Sequence, residues 1–190
     1  MPTSDTACVS CATSHALPPA TRQAIEKRWR DEIDGGLTGL QRDDAGHVRA
    51  GMAEAALSTV DQILTQSAGK LCERHALRHK ARRLRVYALN SSTDGARAKE
   101  LVAAVEDALH QMEEVLSPLH PEVAFFRNWL AKALWKQANV AASASEGKVL
   151  HARACQEART AADQLAISHG QDHPTVAQWR RIAATKRLKT

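Results

Sequence analysis

Aromatic residues are scarce in this sequence. They make up 4% of its 190 residues, and tyrosine occurs once. The core must therefore be built from Leu, Val, Ile and many Ala, which favours closely packed helices over a β-sandwich. Hydrophobic residues at 44% and charged residues at 25% are ordinary for a globular protein, so the composition excludes wholesale disorder.

Long uncharged apolar runs are also missing. No stretch approaches the ~18 residues that a membrane-spanning helix needs. The opening MPTSDTACVSCATSHAL has neither the basic region nor the long apolar run of a signal peptide. Four cysteines are too few for a disulfide framework in a chain of this length. These absences predict a protein of the cytoplasm, the nucleus or both, without a membrane partner.

Apolar residues recur at helical spacing along most of the chain. We interpret residues 1–18 as a flexible segment, 19–33 as a helix, 34–46 as a loop and 47–190 as helical repeats. The third helix is expected from about residue 71, and the sixth from about residue 148. The clearest stripe comprises Leu101, Val105, Leu109, Met112 and Leu116. Because no useful stretch alternates with period two, the pattern predicts an all-α domain of about seven helices over residues 19–190.

Two stretches, LHPEVAFFRNWL and DHPTVAQWRRIA, resemble each other. Aligned on His-Pro, they match at Val123/Val176 and at Ala124/Ala177. Each follows the end of a longer helix and begins another, which indicates an internal repeat of antiparallel helical hairpins.

The second of these junctions between helices, SHGQDHP, consists of residues that favour turns. Pro174 suits a first helical turn because its missing N–H has no partner there anyway. We expect Asp172 to cap that turn and Gly170 to adopt positive φ at the end of the sixth helix. A metal site built on the neighbouring histidines is the weaker alternative. The predicted structural turns comprise His120, Pro121, Gly170, Asp172, His173 and Pro174.

These hairpins and turns resemble tetratricopeptide-type repeats, and more closely the C-terminal region of the SMYD (SET and MYND domain) protein-lysine methyltransferases. That region ends in a His-Gly-x-x-His turn, like ISHGQDHP here, and carries a Pro-x-x-His-Pro-type turn one hairpin earlier, like SPLHPEV. The resemblance implies a non-catalytic domain that packs against a SET core, shapes its substrate cleft and recruits protein partners.

The family enters this region through a zinc segment written C-x-C-x-x-C, and TACVSC is similar to its end. Thr6 replaces the first cysteine, so the resemblance carries over only Cys8 and Cys11 as zinc ligands. The family's Asn-His and Asp-Tyr motifs are missing, and with them its catalytic half. We therefore expect no catalytic residue and no cofactor other than zinc in this chain. S-adenosylmethionine would enter only if a SET domain lies elsewhere, which leaves open whether the chain is part of an enzyme.

The segment ERHALRHKARRLRVYAL is the most basic part of the chain, with Arg78, Arg82 and Arg85 on one side of a helix. One interpretation pairs it with the acidic helix that follows. Another is a clamp for an acidic peptide tail, completed by Asn128 and Lys132 on the fifth helix, in a stand-alone adaptor. Nucleic acid is disfavoured because the stretch lacks interleaved aromatic residues.

Overall fold

The computed structural model describes residues 18–40, 51–68, 70–91 and 95–184. These residues form seven α-helices and one 3₁₀ turn without any strand, which confirms the predicted all-α class. None of the described helices is long and apolar enough to cross a membrane. The helices are α1 (Pro19–Gly39), α2 (Met52–Ser67), α3 (Ala76–Ser91), α4 (Ala98–Glu113), α5 (Pro121–Asn139), α6 (Ala144–His169) and α7 (Pro174–Ala184), and the 3₁₀ turn is Gly95–Arg97.

The chain divides into two compact units, with the boundary between residues 92 and 93. Unit 1 contains α1, α2 and α3, which pack on one another. Unit 2 contains α4 to α7, in which each helix packs on the next. The domain predicted over residues 19–190 includes helices of both units, and it stays a prediction. Helical periodicity shows that a helix has a buried face, but it does not show which helix covers that face.

In unit 1, α1 and α3 run parallel to each other. Glu26 on α1 lies 3.5 Å from His75, immediately before α3, and Asp34, later on α1, lies 3.9 Å from Lys80 on α3. The order of the contacts is the same along both helices, as expected for a parallel pair. Among the described residues of unit 1, the buried core is mainly aliphatic and includes one tryptophan. Its fully buried large side chains comprise Trp29, Ile33, Val60, Ile63, Leu84 and Val86.

The first helix extends further than the sequence predicted. The sequence predicts a loop from residue 34 onward, yet α1 continues to Gly39. A Cβ atom at Gly36 would lie 2.8 Å from Leu84 Cδ2. Glycine therefore allows a close approach of α1 to α3, and the packing outweighs its poor helix propensity of about 1 kcal/mol relative to alanine.

In unit 2, α5 and α6 are antiparallel neighbours. Arg127, near the start of α5, bonds to Glu157 on α6, whereas the ring of Trp135, further along α5, lies 6.5 Å from that of His151, earlier on α6. Small residues let these helices approach closely. One end of unit 2 is filled by a cluster comprising Ala124, Ala161, Ala162, Leu165, Ala166, Val176 and Trp179.

The sixth helix begins at Ala144 rather than near residue 148. Ser143 Oγ accepts the backbone N–H of Glu146 over 3.2 Å, and Glu146 Oε2 accepts the backbone N–H of Ala142 over 3.2 Å. The two side chains thus satisfy N–H groups at the helix start, as in a capping box. Residues 143–147, with the sequence SASEG, form the cap and the first turn of this helix.

Candidate functional site

The basic residues of α3 are engaged within unit 1. Arg78 and Arg82 are only 6% and 7% exposed. Arg78 Nη2 donates to both carboxylate oxygens of Glu73, at 2.6 and 2.9 Å, and Arg82 Nη2 donates to Glu73 Oε2 at 2.6 Å. Because α3 begins at Ala76 and not at residue 71, Glu73 lies in the connection between α2 and α3. The two arginines hold this connection to the helix.

Further hydrogen bonds fix the same arginines to their surroundings. Arg78 Nη1 donates to Ser67 Oγ at 2.8 Å, at the end of α2, and Arg82 Nη1 donates to the carbonyl oxygen of Glu73 at 3.3 Å. Ser67 is fully buried. An incoming peptide carboxylate would therefore have to displace Glu73 before it could reach these guanidinium groups. In this structure the two guanidinium groups stabilise the connection between α2 and α3.

The charges of this cluster are coupled. Partial burial tends to raise the pKa of the Glu73 carboxyl, but hydrogen bonds from Arg82 and the nearby charge of Arg78 outweigh it, so the pKa lies below its usual value. Glu73 is therefore charged at neutral pH. The predicted pairing of α3 with the acidic α4 would join helices of different units and stays a prediction.

The remaining residues assigned to peptide binding have different environments. Arg85, also on α3, is half-buried. Asn128 on α5 is 2% exposed, and its Oδ1 has no hydrogen-bond partner among the described residues. Lys132, one turn further along α5, is exposed. Asn128 and Lys132 belong to unit 2 and the three arginines to unit 1, and of these five residues Lys132 alone is exposed.

The exposed side of α5 carries aromatic and basic residues. Phe125, Lys132 and Lys136 are exposed and Trp129 is half-buried. Trp129, Lys132 and Lys136 follow Phe125 by four, seven and eleven residues, so all four side chains lie on one side of the helix. Phe125 is 41% exposed, and its ring contacts that of Trp179 on α7 edge to face, with 5.2 Å between the ring centroids. This side, defined by Phe125, Trp129, Lys132 and Lys136, is called the α5 face below.

Histidines start three of the helices. His75 Nδ1 accepts the backbone N–H of Leu77 at 3.2 Å, immediately before α3. His120 Nδ1 accepts that of Glu122 at 3.2 Å before α5, and His173 Nδ1 accepts that of Thr175 at 3.3 Å before α7. The His-Pro turns are therefore helix starts, as predicted. The sequence did not single out His75, because alanine and not proline follows it.

The second junction is confirmed in part. Gly170 has φ +90° and Pro174 opens α7. Asp172 was expected to cap α7, and that expectation is wrong, because His173 supplies the acceptor. The rings of His169 and His173 lie 5.1 Å apart, yet no group of three metal-ligating side chains occurs among the described residues. Cys8 and Cys11, the predicted zinc ligands, lie outside the described residues.

One thiol and one imidazole meet on α6. Cys155 Sγ lies 3.7 Å from His151 Nδ1. In nucleophilic catalysis a third group orients the base. His151 Nε2 is buried and has no such partner among the residues that the structure describes. This pair therefore lacks the third member of a catalytic arrangement.

Comparison with known proteins identifies no relative of this chain. A scan against models of known protein families, a search of curated proteins and a search of solved structures each return no match to this chain.

Proposed function

We propose that this protein is a non-catalytic interaction module that binds an acidic peptide segment, through an apolar side chain and its carboxylates, on the α5 face. The observation that carries the proposal is the combination of exposed Phe125 with exposed Lys132 and Lys136 on one side of one helix. An aromatic side chain supplies an apolar anchor, and the two ammonium groups supply charge complementary to carboxylates.

Other exposed apolar residues support this assignment. Val115 and Leu119 are each 47% exposed and lie where α4 turns into α5, close in sequence to Phe125. Ile167 is 64% exposed, in the last turn of α6, at the same end of unit 2. Groups of exposed apolar side chains mark interaction surfaces more often than chance exposure does. We assign this end of unit 2 to the same interface as the α5 face.

The proposal includes stacked, tetratricopeptide-like hairpins in unit 2. Such stacking needs contacts between alternate helices as well as consecutive ones. Arg153 on α6 bonds to Glu106 on α4, and Phe125 on α5 contacts Trp179 on α7. Both contacts join alternate helices and support this arrangement.

Two settings are compatible with such a module. The resemblance to the SMYD C-terminal region favours a partner surface on a SET catalytic core, and the α5 face favours an adaptor that binds acidic peptide tails. We propose the adaptor setting, because exposed residues of unit 2 support it. In either setting the module acts in the cytoplasm or the nucleus, as expected from the sequence, and the chain itself performs no methyl transfer.

A titration with a labelled peptide tests the proposal. The probe is an acidic peptide that ends in an apolar residue with a free carboxylate, followed by fluorescence anisotropy. We expect a Kd in the micromolar range, about 8 kcal/mol of binding free energy. Affinity should fall with added salt, because screening weakens exposed charge pairs.

Matched variants distinguish the α5 face from general positive charge. Lys132→Glu combined with Lys136→Glu should abolish binding, whereas Lys99→Glu combined with Lys148→Glu makes the same charge change at exposed positions on α4 and α6 and should preserve most of it. Equal loss in both variants, or equal affinity for a scrambled peptide and for single-stranded DNA, would refute a specific site. A one-to-one calorimetric isotherm with S-adenosylmethionine would refute the non-catalytic assignment.

A further inference from the structure

The last helix of unit 2 lies in a groove between α5 and α6. Trp179 of α7 shares a buried cluster with Ala124 of α5 and Ala162 of α6. The helix α4 lies on another side of this pair, since it bonds to Arg127 of α5 and to Arg153 of α6. The sides of α5 and α6 that carry Ala124 and Ala162 are therefore the two walls of what is called the α5–α6 groove below.

The helix α7 fills only part of this groove. It has 11 residues, whereas α5 has 19 and α6 has 26. It starts after the end of α6 and runs back along it, and Arg180 Nη2 donates to Asp163 Oδ1 over 3.4 Å. From Arg180 to Ala184, a rise of about 1.5 Å per residue brings the end of α7 to about residue 159 of α6. Earlier residues of α6 have no part of α7 beside them.

Both walls continue beyond the end of α7. On α5, Asn128 and Trp135 follow Ala124 by four and eleven residues and lie on the same side of the helix. On α6, Cys155 and His151 precede the residue of the buried cluster by seven and eleven residues, again on the same side. The rings of Trp135 and His151 lie 6.5 Å apart, so the two walls meet at this level. This stretch is called the open part of the groove.

Polar atoms without partners lie along the open part. Asn128 Oδ1, Trp135 Nε1 and His151 Nε2 are buried and have no hydrogen-bond partner among the described residues. Asn128 and Trp135 are only 2% and 4% exposed. A buried polar group without a partner costs free energy that a new hydrogen bond recovers, so these atoms point to a ligand. Lys132 covers the turn before it, which carries Asn128, and a ligand that draws this flexible side chain away reaches the amide.

Basic residues flank the open part on both helices. Lys132 and Lys136 on α5 are exposed. Arg159 on α6, close to the end of α7, is exposed as well and has no ion pair among the described residues. The segment TKRLKT, which follows Ala184 in the sequence, is itself basic and does not offer the opposite charge. A partner that carries carboxylates does.

We propose that the open part of the groove receives an acidic amphipathic helix of the partner, in line with α7. This inference rests on the proposed function, because Lys132 and Lys136 belong to the α5 face, and it adds the conformation of the partner and α6 as a second wall. The seat of α7 shows that the two walls accept a helix. The apolar side of the partner helix packs between the walls, and its carboxylates meet Lys132, Lys136 and Arg159.

A pair of peptides tests the helical conformation. Both are acidic and amphipathic and end in the same apolar residue with a free carboxylate, but a central alanine of the first is proline in the second. Because proline breaks a helix, the alanine peptide should bind more tightly by about tenfold or more, and the complex should gain helical circular dichroism. Equal affinities would overturn the inference and leave the α5 face intact as a binding site. Binding of neither peptide would refute the proposed function and this inference with it.

A charge reversal tests the contribution of α6. Arg159→Glu should weaken binding of the alanine peptide by about tenfold or more. Arg30→Glu makes the same change at an exposed position on α1 in unit 1 and should change the affinity by less than about threefold. Equal effects of the two variants, measured while the variant Lys132→Glu/Lys136→Glu no longer binds, would overturn the inference alone.

Thiol alkylation provides a second readout on the unmodified protein. Cys155 and Cys72 are both half-buried, and Cys155 lies on the α6 wall whereas Cys72 lies in unit 1. Saturating alanine peptide should slow the alkylation of Cys155 and leave that of Cys72 unchanged, as followed by mass spectrometry of proteolytic fragments. Unchanged alkylation of Cys155 in the bound protein, or equal slowing of both thiols, would overturn the inference.

Discussion

Arg127 on α5 donates to Glu157 on α6 over 3.0 Å. Its other amino group donates to Glu113 at the end of α4. The side chains of Arg127 and Glu157 are 22% and 17% exposed, so this pair is screened less than a surface ion pair. One guanidinium group thus joins three helices of unit 2.

Arg127→Ala should destabilise the protein by about 1–3 kcal/mol, because it leaves two partly buried carboxylates without their cation. Urea denaturation at neutral pH measures the change. Arg159→Ala is the control, since exposed Arg159 on α6 has no ion pair among the described residues and should change stability by less than about 0.5 kcal/mol. Equal losses in the two variants would contradict the assigned role.

Adjacent glycines in α1 should respond differently to alanine. A Cβ at Gly35 meets no atom within 4 Å, so Gly35→Ala should stabilise the helix by about 0.5–1 kcal/mol. A Cβ at Gly36 would lie 2.8 Å from the fully buried Leu84, so Gly36→Ala should be less favourable by at least ~1 kcal/mol. Chemical denaturation of both variants measures the difference. Identical effects would show that α1 does not pack on α3 through Gly36.

Gly170 should not tolerate a β-branched residue. Its φ of +90° lies where side-chain-bearing residues are strained, although a Cβ there would meet no atom within 4 Å. Gly170→Val should therefore cost about 1–3 kcal/mol from backbone conformation alone. A thermal melt identical to that of the wild type would show that the end of α6 does not need this conformation.

Glu73 should contribute to the acid sensitivity of unit 1. The pKa of Glu73 is lowered in the folded state, so its contribution to stability is present above the unfolded value of ~4.3 and is lost as the pH falls through the folded value. Glu73→Gln should lower Tm at pH 7, and the difference from wild type should shrink below about pH 4. Asp61→Asn, at an exposed position on α2, is the control and should leave Tm nearly unchanged at both pH values. A constant difference between Glu73→Gln and wild type from pH 7 to 3 would contradict the arginine contacts.

The candidate site could be predicted in part. The basic side of α3 and the exposed Lys132 follow from charge and helical spacing. The sequence could not show that Arg78 and Arg82 bond to Glu73, because the carboxylate reaches them only once the connection between α2 and α3 has folded. Nor could it show that Asn128 is buried, since polar residues at that spacing usually face water.

The sequence by itself determined the all-α class, the presence of about seven helices and the two His-Pro helix starts. These depend on interactions within a few residues, namely apolar periodicity and the geometry of proline in a first turn. Only the tertiary structure decided that α1 lies close to Leu84 of α3 at Gly36, that His75 caps α3 without a following proline, and that the chain divides into two units. Those outcomes depend on which buried faces of the helices meet. Contacts between residues far apart in the sequence outweigh local preferences, such as the cost of about 1 kcal/mol for a glycine inside a helix.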